Sequence, residues 1–232
     1  MNVSFSGVLS TYLYCCPHAH RLRNIEKNYL PKKEVDEVVE GVSAREYGIE
    51  QHSLVADYIL KKTDTYEHST DVIEMFRAHP NPEVEVQRYY DLDGTRLASK
   101  PAEGDYISTR IDAFAIENYS LTLMDLKFGN PDYGAAKYYD ETCFFLAMLG
   151  GEYPDIGEFE TVVHFPIYDY SLPKRTYTIF QLARLQTSYR MRIEQILNDK
   201  MFKPKPSKQH CRFCDQRSEE AGGTGVCDYS VM

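Results

Sequence analysis

No apolar run in this 232-residue chain approaches the roughly 20 residues that a membrane span needs, so no membrane insertion is expected. The first residues, Met1 to Gly7, lack a basic stretch followed by an apolar one. A secretory signal is therefore not expected, and the cytoplasm is the expected compartment. Internal repeats and low-complexity runs are absent too, which sets aside repeat architectures. Positive charge is scarce: the net charge is -9, and taken over the whole chain that argues against a nucleic-acid binder. Its distribution matters more. Between residues 174 and 217 stand eleven lysines and arginines against three acids. Such asymmetry suggests a phosphate-facing end on an acidic body, although a solvated helix face followed by a basic tail has the same composition.

What the chain does hold is 43% hydrophobic residues and 19 tyrosines, enough for one sizeable core. The expectation is a single domain over 1–232, with a helical part at 4–80, a core at 83–200 and a cysteine-rich appendage at 201–232. Six cysteines in a chain expected to be intracellular, three of them near its end, favour metal ligation over a disulfide framework.

Apolar spacing predicts a first helix from Phe5 to about Cys16, capped by Ser4 or Ser6 and ended by Pro17. The polar group His18, His20, Arg21 and Arg23 after it is expected to face water or DNA, and residues 32–42 read as a connection. Ser43 and Glu46 form a capping box that opens a helix to about Lys62, burying Ile49, Leu54, Val55, Tyr58 and Ile59 and carrying His52. A shorter helix follows at 70–77. Strands are predicted at 83–90, 106–117, 119–129 and 159–168, with Asn118-Tyr119 a hairpin link. Helices are predicted at 135–149 and 178–198, the latter burying Phe180, Leu185, Ile193, Ile196 and Leu197. The fold class is α/β in the α+β sense: a central mixed four-stranded sheet, flanked by helices, whose fourth strand returns through a helix to lie beside its partner.

The third strand ends in charge. Alternation puts Leu121, Leu123, Asp125 and Lys127 on one face, so a buried face finishes in an acid and an amine. That is costly unless something pairs them; a salt bridge at the strand end would do so, and so would a divalent metal with a phosphate. A hairpin can set Asp112 beside Asp125, giving two carboxylates and one ammonium about a point. Mg²⁺ is held by such carboxylates together with substrate phosphate oxygens. The lysine would then orient the attacking water or stabilise charge on the phosphate.

Asp112 followed by Asp125-Leu126-Lys127 resembles the signature of the PD-(D/E)XK nuclease superfamily. The chain is similar in particular to its RecB-like exonuclease branch, which includes CRISPR-associated adaptation exonucleases and small phage exonucleases. Gly48-Ile49-Glu50-Gln51-His52 matches the upstream Gly-x-x-x-His of that branch. The resemblance implies a restriction-endonuclease-like core and a metal-dependent exonuclease acting on DNA ends or single strands. It implies Mg²⁺ or Mn²⁺ held by Asp112, Asp125, the Leu126 carbonyl and His52, with Lys127 positioning water. Glu85, at the head of the first strand, would assist, with Glu83 competing for that place. The implied partners are DNA and other recombination or CRISPR-adaptation proteins. Where the branch shows Gln-x-x-x-Tyr, this chain has Glu141 and Phe145: a glutamate there could approach the metal but would repel phosphate, and the aromatic residues of this helix are read as packing on the sheet.

The Cys211-x-x-Cys214 pair lets two thiolates grip one metal, and Cys227 can close the loop around it. Cys16, or Cys15 in its stead, would complete a four-thiolate set suited to a 4Fe–4S cluster or to Zn²⁺, stapling the chain ends together. In the resembled branch, an early and a late cysteine group hold an iron–sulfur cluster. Zinc, or no metal, remains open because the last spacing is longer than is usual there. Cys143 reads as a buried core thiol.

Overall fold

A computed structural model describes residues 1–21, 38–39, 42–132, 134–205, 211 and 227. Its backbone packs into two compact units, one of Met1–Asn2 with Asp36–Met191, the other of Val3–Val35 with Arg192–Met232.

The first unit is built on a mixed sheet. Its strands are β1 (Glu83–Tyr90), β2 (Tyr106–Glu117), β3 (Ser120–Leu126), β4 (Glu158–Phe165) and β5 (Arg175–Thr178), in the order β5-β4-β3-β2-β1. The pairs β1–β2, β2–β3 and β4–β5 are antiparallel, whereas β3 and β4 run parallel. A parallel pair needs a crossover, and helix α3 (Ala135–Leu149) supplies it. The four expected strands thus form the centre. The sheet is larger than four strands, because β5 and the two-residue strands Arg96–Leu97 and Tyr170–Ser171 extend it. The fourth strand stops at Phe165 instead of running to residue 168, since Pro166 offers no amide to the ladder and opens a 3₁₀ turn.

Helices α1 (Ala44–Ile59) and α2 (Asp71–Ala78) cover one apolar cluster in which Val55, Tyr58, Ile59, Ile73 and Phe76 meet Ala113, Met124 and Leu126. Ile49 and Leu54, expected in that core, are 55% and 43% exposed: the buried stripe of α1 is the one through Gln51, Val55, Tyr58 and Ile59. The helix ends before Lys61, whose φ of 58° breaks the repeat. On α3, Ala135, Tyr138 and Tyr139 pack on Val163, Phe165 and Leu172. Helix α4 (Ile179–Asn198) buries Leu182, Tyr189, Ile193 and Ile196, while Phe180 is 79% exposed, against expectation. Phe180 lies in the first turn, two residues short of the buried row that begins at Leu182.

In the second unit the N-terminal segment is not one α-helix. Phe5–Leu9 and Thr11–Cys15 are wide π-helical turns, Ser4 caps the first by accepting from the Gly7 amide, and Pro17 opens a short α-helix, Pro17–His20, instead of ending one. His20, expected near water or DNA, is buried: its ring packs edge-on to Tyr12 and against Phe202. The Tyr12 hydroxyl donates to Asp199 Oδ2 at 2.5 Å, tying segments 187 residues apart. In the expected connection at 32–42, Val38–Val39 pairs with Val42–Ser43; the rest of that connection lies outside the described residues.

Candidate active site

Two ladders align the acids. In β1–β2, Val84 pairs with Ala113 and Val86 with Ile111, so Glu85 stands opposite Asp112. In β2–β3, Ala113 pairs with Met124 as the last rung, and the next positions along are Asp112 and Asp125. Glu85, Asp112 and Asp125 therefore form one row across three adjacent strands. At that row the Leu126 amide donates to Asp112 Oδ2 at 2.6 Å.

Helix α1 brings His52 to the row. Its Nδ1 lies 3.3 Å from Asp112 Oδ1 and 3.4 Å from Glu85 Oε1, in neither case with hydrogen-bond geometry. One ligand atom each from His52, Glu85 and Asp112 lies within 4.8 Å of the others. Phe128 packs edge-on to the imidazole, with ring centroids 5.0 Å apart. Glu85 adopts φ 52°, a left-handed backbone that a non-glycine residue holds only under strain, as often occurs at functional positions. Its carboxylate accepts from Arg110 Nε at 2.9 Å and Nη2 at 2.6 Å. The competing Glu83 turns instead to Arg88 at 2.7 Å. A Cβ added at Gly48 would meet nothing within 4 Å, so packing does not explain the glycine of Gly-x-x-x-His.

Lys127 and Asp125 form the other half. Lys127 Nζ sits 2.9 Å from Asp125 Oδ2 and 3.0 Å from Glu141 Oε2 of α3, and 5.2 Å from the centroid of the Tyr138 ring. Asp125 is 3% exposed. Burial, with Asp112 and Glu141 nearby, pushes its carboxyl up to about 7 in spite of Lys127. Burial raises Asp112 also, opposed by His52 and Lys127. Burial disfavours charge on His52, but the carboxylates of Glu85 and Asp112 outweigh it and hold the imidazole above its ordinary value. Burial likewise opposes ionisation of Glu85, which His52 and Arg110 nonetheless keep below the carboxylate range. Lys127 would be lowered by burial alone, and Asp125, Glu141 and Asp112 raise it instead.

The residues expected to act together therefore meet in two adjoining sets: His52, Glu85 and Asp112 as a donor set for a cation, and Lys127 clamped by Asp125. A buried imidazole nitrogen without a hydrogen-bond partner, facing two carboxylates, fits a divalent metal ion. Arg110 was not marked as part of the site in the sequence, and Glu141 was marked only by its departure from Gln-x-x-x-Tyr. Arg110 lies two residues before Asp112, so strand alternation could have placed it on the same side. Glu141 lies on a helix 14 residues after Lys127, and no local signal gives their ion pair.

Among the described cysteines, Cys16, Cys211 and Cys227 all belong to the second unit and are half-buried; Cys214 lies outside the described residues. The Lys205 amide donates to Cys16 Sγ at 3.2 Å. Cys143 is buried, as expected of a core thiol.

No protein-family model matches the chain, and no curated protein matches it. Among solved structures it is similar to the crystal structure of SSO0001, with 14% identity and a TM-score of 0.50, over 100% of this chain and 87% of that one. A candidate exonuclease from Eubacterium rectale is 12% identical with a TM-score of 0.48, over 91% of this chain and 85% of that one. At such identities the likeness to SSO0001 is one of fold, so what this chain does has to be argued from its site.

Proposed function

We propose that this protein is a divalent-metal-dependent nuclease that hydrolyses phosphodiester bonds of DNA, at ends or in single strands. One observation carries the reading: His52, Glu85 and Asp112 converge within 4.8 Å beside the Lys127–Asp125 pair. His52, Asp112, Asp125 and the Leu126 carbonyl would hold Mg²⁺ or Mn²⁺, with Glu85 assisting. Such an ion supplies Lewis acidity toward a phosphoryl oxygen and a more acidic bound water. The protein's own residues do the rest. The Leu126 amide and the buried row hold Asp112 in a fixed orientation, Arg110 holds Glu85, and Lys127 presents a permanent positive charge to orient water or offset charge on the phosphate.

The test is cleavage of end-labelled DNA with Mg²⁺ or Mn²⁺, with and without EDTA. Shortening of the label that EDTA abolishes is the expected result; no cleavage with either ion defeats the reading. A second reading, a nucleic-acid-binding module without turnover, is favoured by one contact: Glu141 occupies Lys127 at 3.0 Å. DNA binding without cleavage in the same assay would select it. For the cysteines we propose a 4Fe–4S cluster, with Zn²⁺ the alternative, on Cys16, Cys211, Cys214 and Cys227. The amide that Lys205 donates to the Cys16 sulfur supports this; among the described residues the Cys16, Cys211 and Cys227 sulfurs do not meet in one metal-sized group.

A further inference from the structure

Three cations among the described residues sit over aromatic rings. Arg77 lies over Tyr58 at 4.1 Å and meets Asp64 at 3.9 Å; Lys127 lies over Tyr138 and meets two carboxylates. Arg175 lies over Tyr139 at 3.5 Å, and no carboxylate among the described residues pairs with it. Its neighbour Lys174 is neutralised by Glu160 at 2.7 Å.

The support under Arg175 is built. The Tyr139 hydroxyl donates to the Pro173 carbonyl at 2.8 Å, fixing the ring, and Tyr177, two residues on along β5, meets Cys143 Sγ at 3.0 Å. Tyr139 adjoins Tyr138, the ring beneath Lys127, on α3. Arg175 itself is exposed on β5, the outermost strand on that side of the sheet, and five residues later Phe180 is 79% exposed. A fixed cation without an acidic partner suits a phosphate, and an exposed phenyl ring suits an unpaired base, on which it can stack.

We propose that Arg175 and Phe180 form a platform for single-stranded DNA, Arg175 taking a phosphate and Phe180 stacking a base of the strand that leads to the Lys127 centre. The choice of DNA rests on the nuclease reading; the preference for single strands rests on Phe180. The experiment is fluorescence anisotropy of a labelled 12-nucleotide oligothymidine and of a duplex of equal length, in EDTA, over a series of NaCl concentrations. Arg175→Ala should weaken oligothymidine binding about tenfold, with the log Kd against log salt slope reduced by about 0.7, the value for one lost single-strand phosphate contact. Arg175→Lys should keep the slope. Phe180→Ala should weaken oligothymidine by about tenfold at unchanged slope and leave the duplex unaffected. Wild-type affinity in both alanine variants, or an equal loss on the duplex with Phe180→Ala, overturns the platform. Because no metal is present, cleavage does not enter the measurement. A protein that binds oligothymidine through these residues but cuts nothing with Mn²⁺ would sink the nuclease reading and support the platform.

Discussion

Lys127 Nζ is shared by Asp125, its neighbour two residues back on the strand, and Glu141 of the crossover helix, at 2.9 Å and 3.0 Å. A substrate phosphate approaching the lysine would meet the negative charge of Glu141. Replacing it by glutamine keeps the shape and a hydrogen-bond acceptor while removing that charge. Glu141→Gln is expected to lower KM for DNA by about three- to tenfold, since close like-charge juxtaposition is costly. Steady-state kinetics on labelled DNA would read this, and an unchanged or higher KM would show that Glu141 does not restrain the lysine.

Asp112→Asn and Asp125→Asn replace carboxylates with isosteric amides, and Lys127→Ala removes the amine. Each is expected to cut metal-dependent cleavage by about a hundredfold or more, because each removes charge where the reaction develops it. The far-ultraviolet circular dichroism should stay native. Full hydrolysis by Asp125→Asn protein would overturn the site.

Much of this was legible in the chain because both signals are local. Period-two alternation placed β1 and β2 at their observed bounds, and the family resemblance carried by Asp112, Asp125-Leu126-Lys127 and Gly48-x-x-x-His52, rather than spacing alone, pointed to one centre. What stayed hidden depends on contacts between elements. The Glu141–Lys127 pair joins α3 to the end of β3 and depends on how that helix packs over the sheet. The left-handed φ of Glu85 belongs to a position where a glycine would have announced it. Ile49, Leu54 and Phe180 are large and apolar at helical spacing, yet exposed, since which stripe of a helix is buried is decided by the sheet beneath it. His20 looked like part of a solvated basic group, whereas Asp199, far along the chain, draws its surroundings closed.

That histidine gives a pH test. Burial lowers His20 to about 4, against the partly compensating charge of Asp199. Between that value and the ordinary histidine value near 6.5 the unfolded chain binds more protons than the folded one, so stability falls as pH falls through this window. Asp125 and His52, both raised in the folded state, act with the opposite sign, so the reading is a difference: thermal unfolding at pH 7, 6, 5 and 4.5 should show the Tm of His20→Phe rising relative to that of the wild type below pH 6.5. An identical slope in the variant would remove His20 from the account.

Cys16→Ser and Cys15→Ser should behave differently. Protein prepared without oxygen is expected to be brown, with about four iron atoms per chain for a 4Fe–4S cluster, or colourless with zinc. Only Cys16→Ser should bleach it and lower its Tm, because metal-binding free energy is also folding free energy for the segments it ties. Six titratable thiols with neither iron nor zinc would show that no metal is held.

The two-residue turn at Asn118 and Tyr119, with φ of 46° and 67°, closes the β2–β3 ladder directly at Glu117 and Ser120. Five rungs later the ladder reaches the row of acids. Turn length is therefore a ruler for the chemistry: one inserted residue would shift every later pairing by one and turn Asp125 to the opposite face, taking it away from Asp112. The connection between Tyr90 and Tyr106 carries no such constraint, since β1 finds its register against a strand already fixed. Insertions and deletions in descendants of this sequence should accumulate in that connection and be purged from the hairpin.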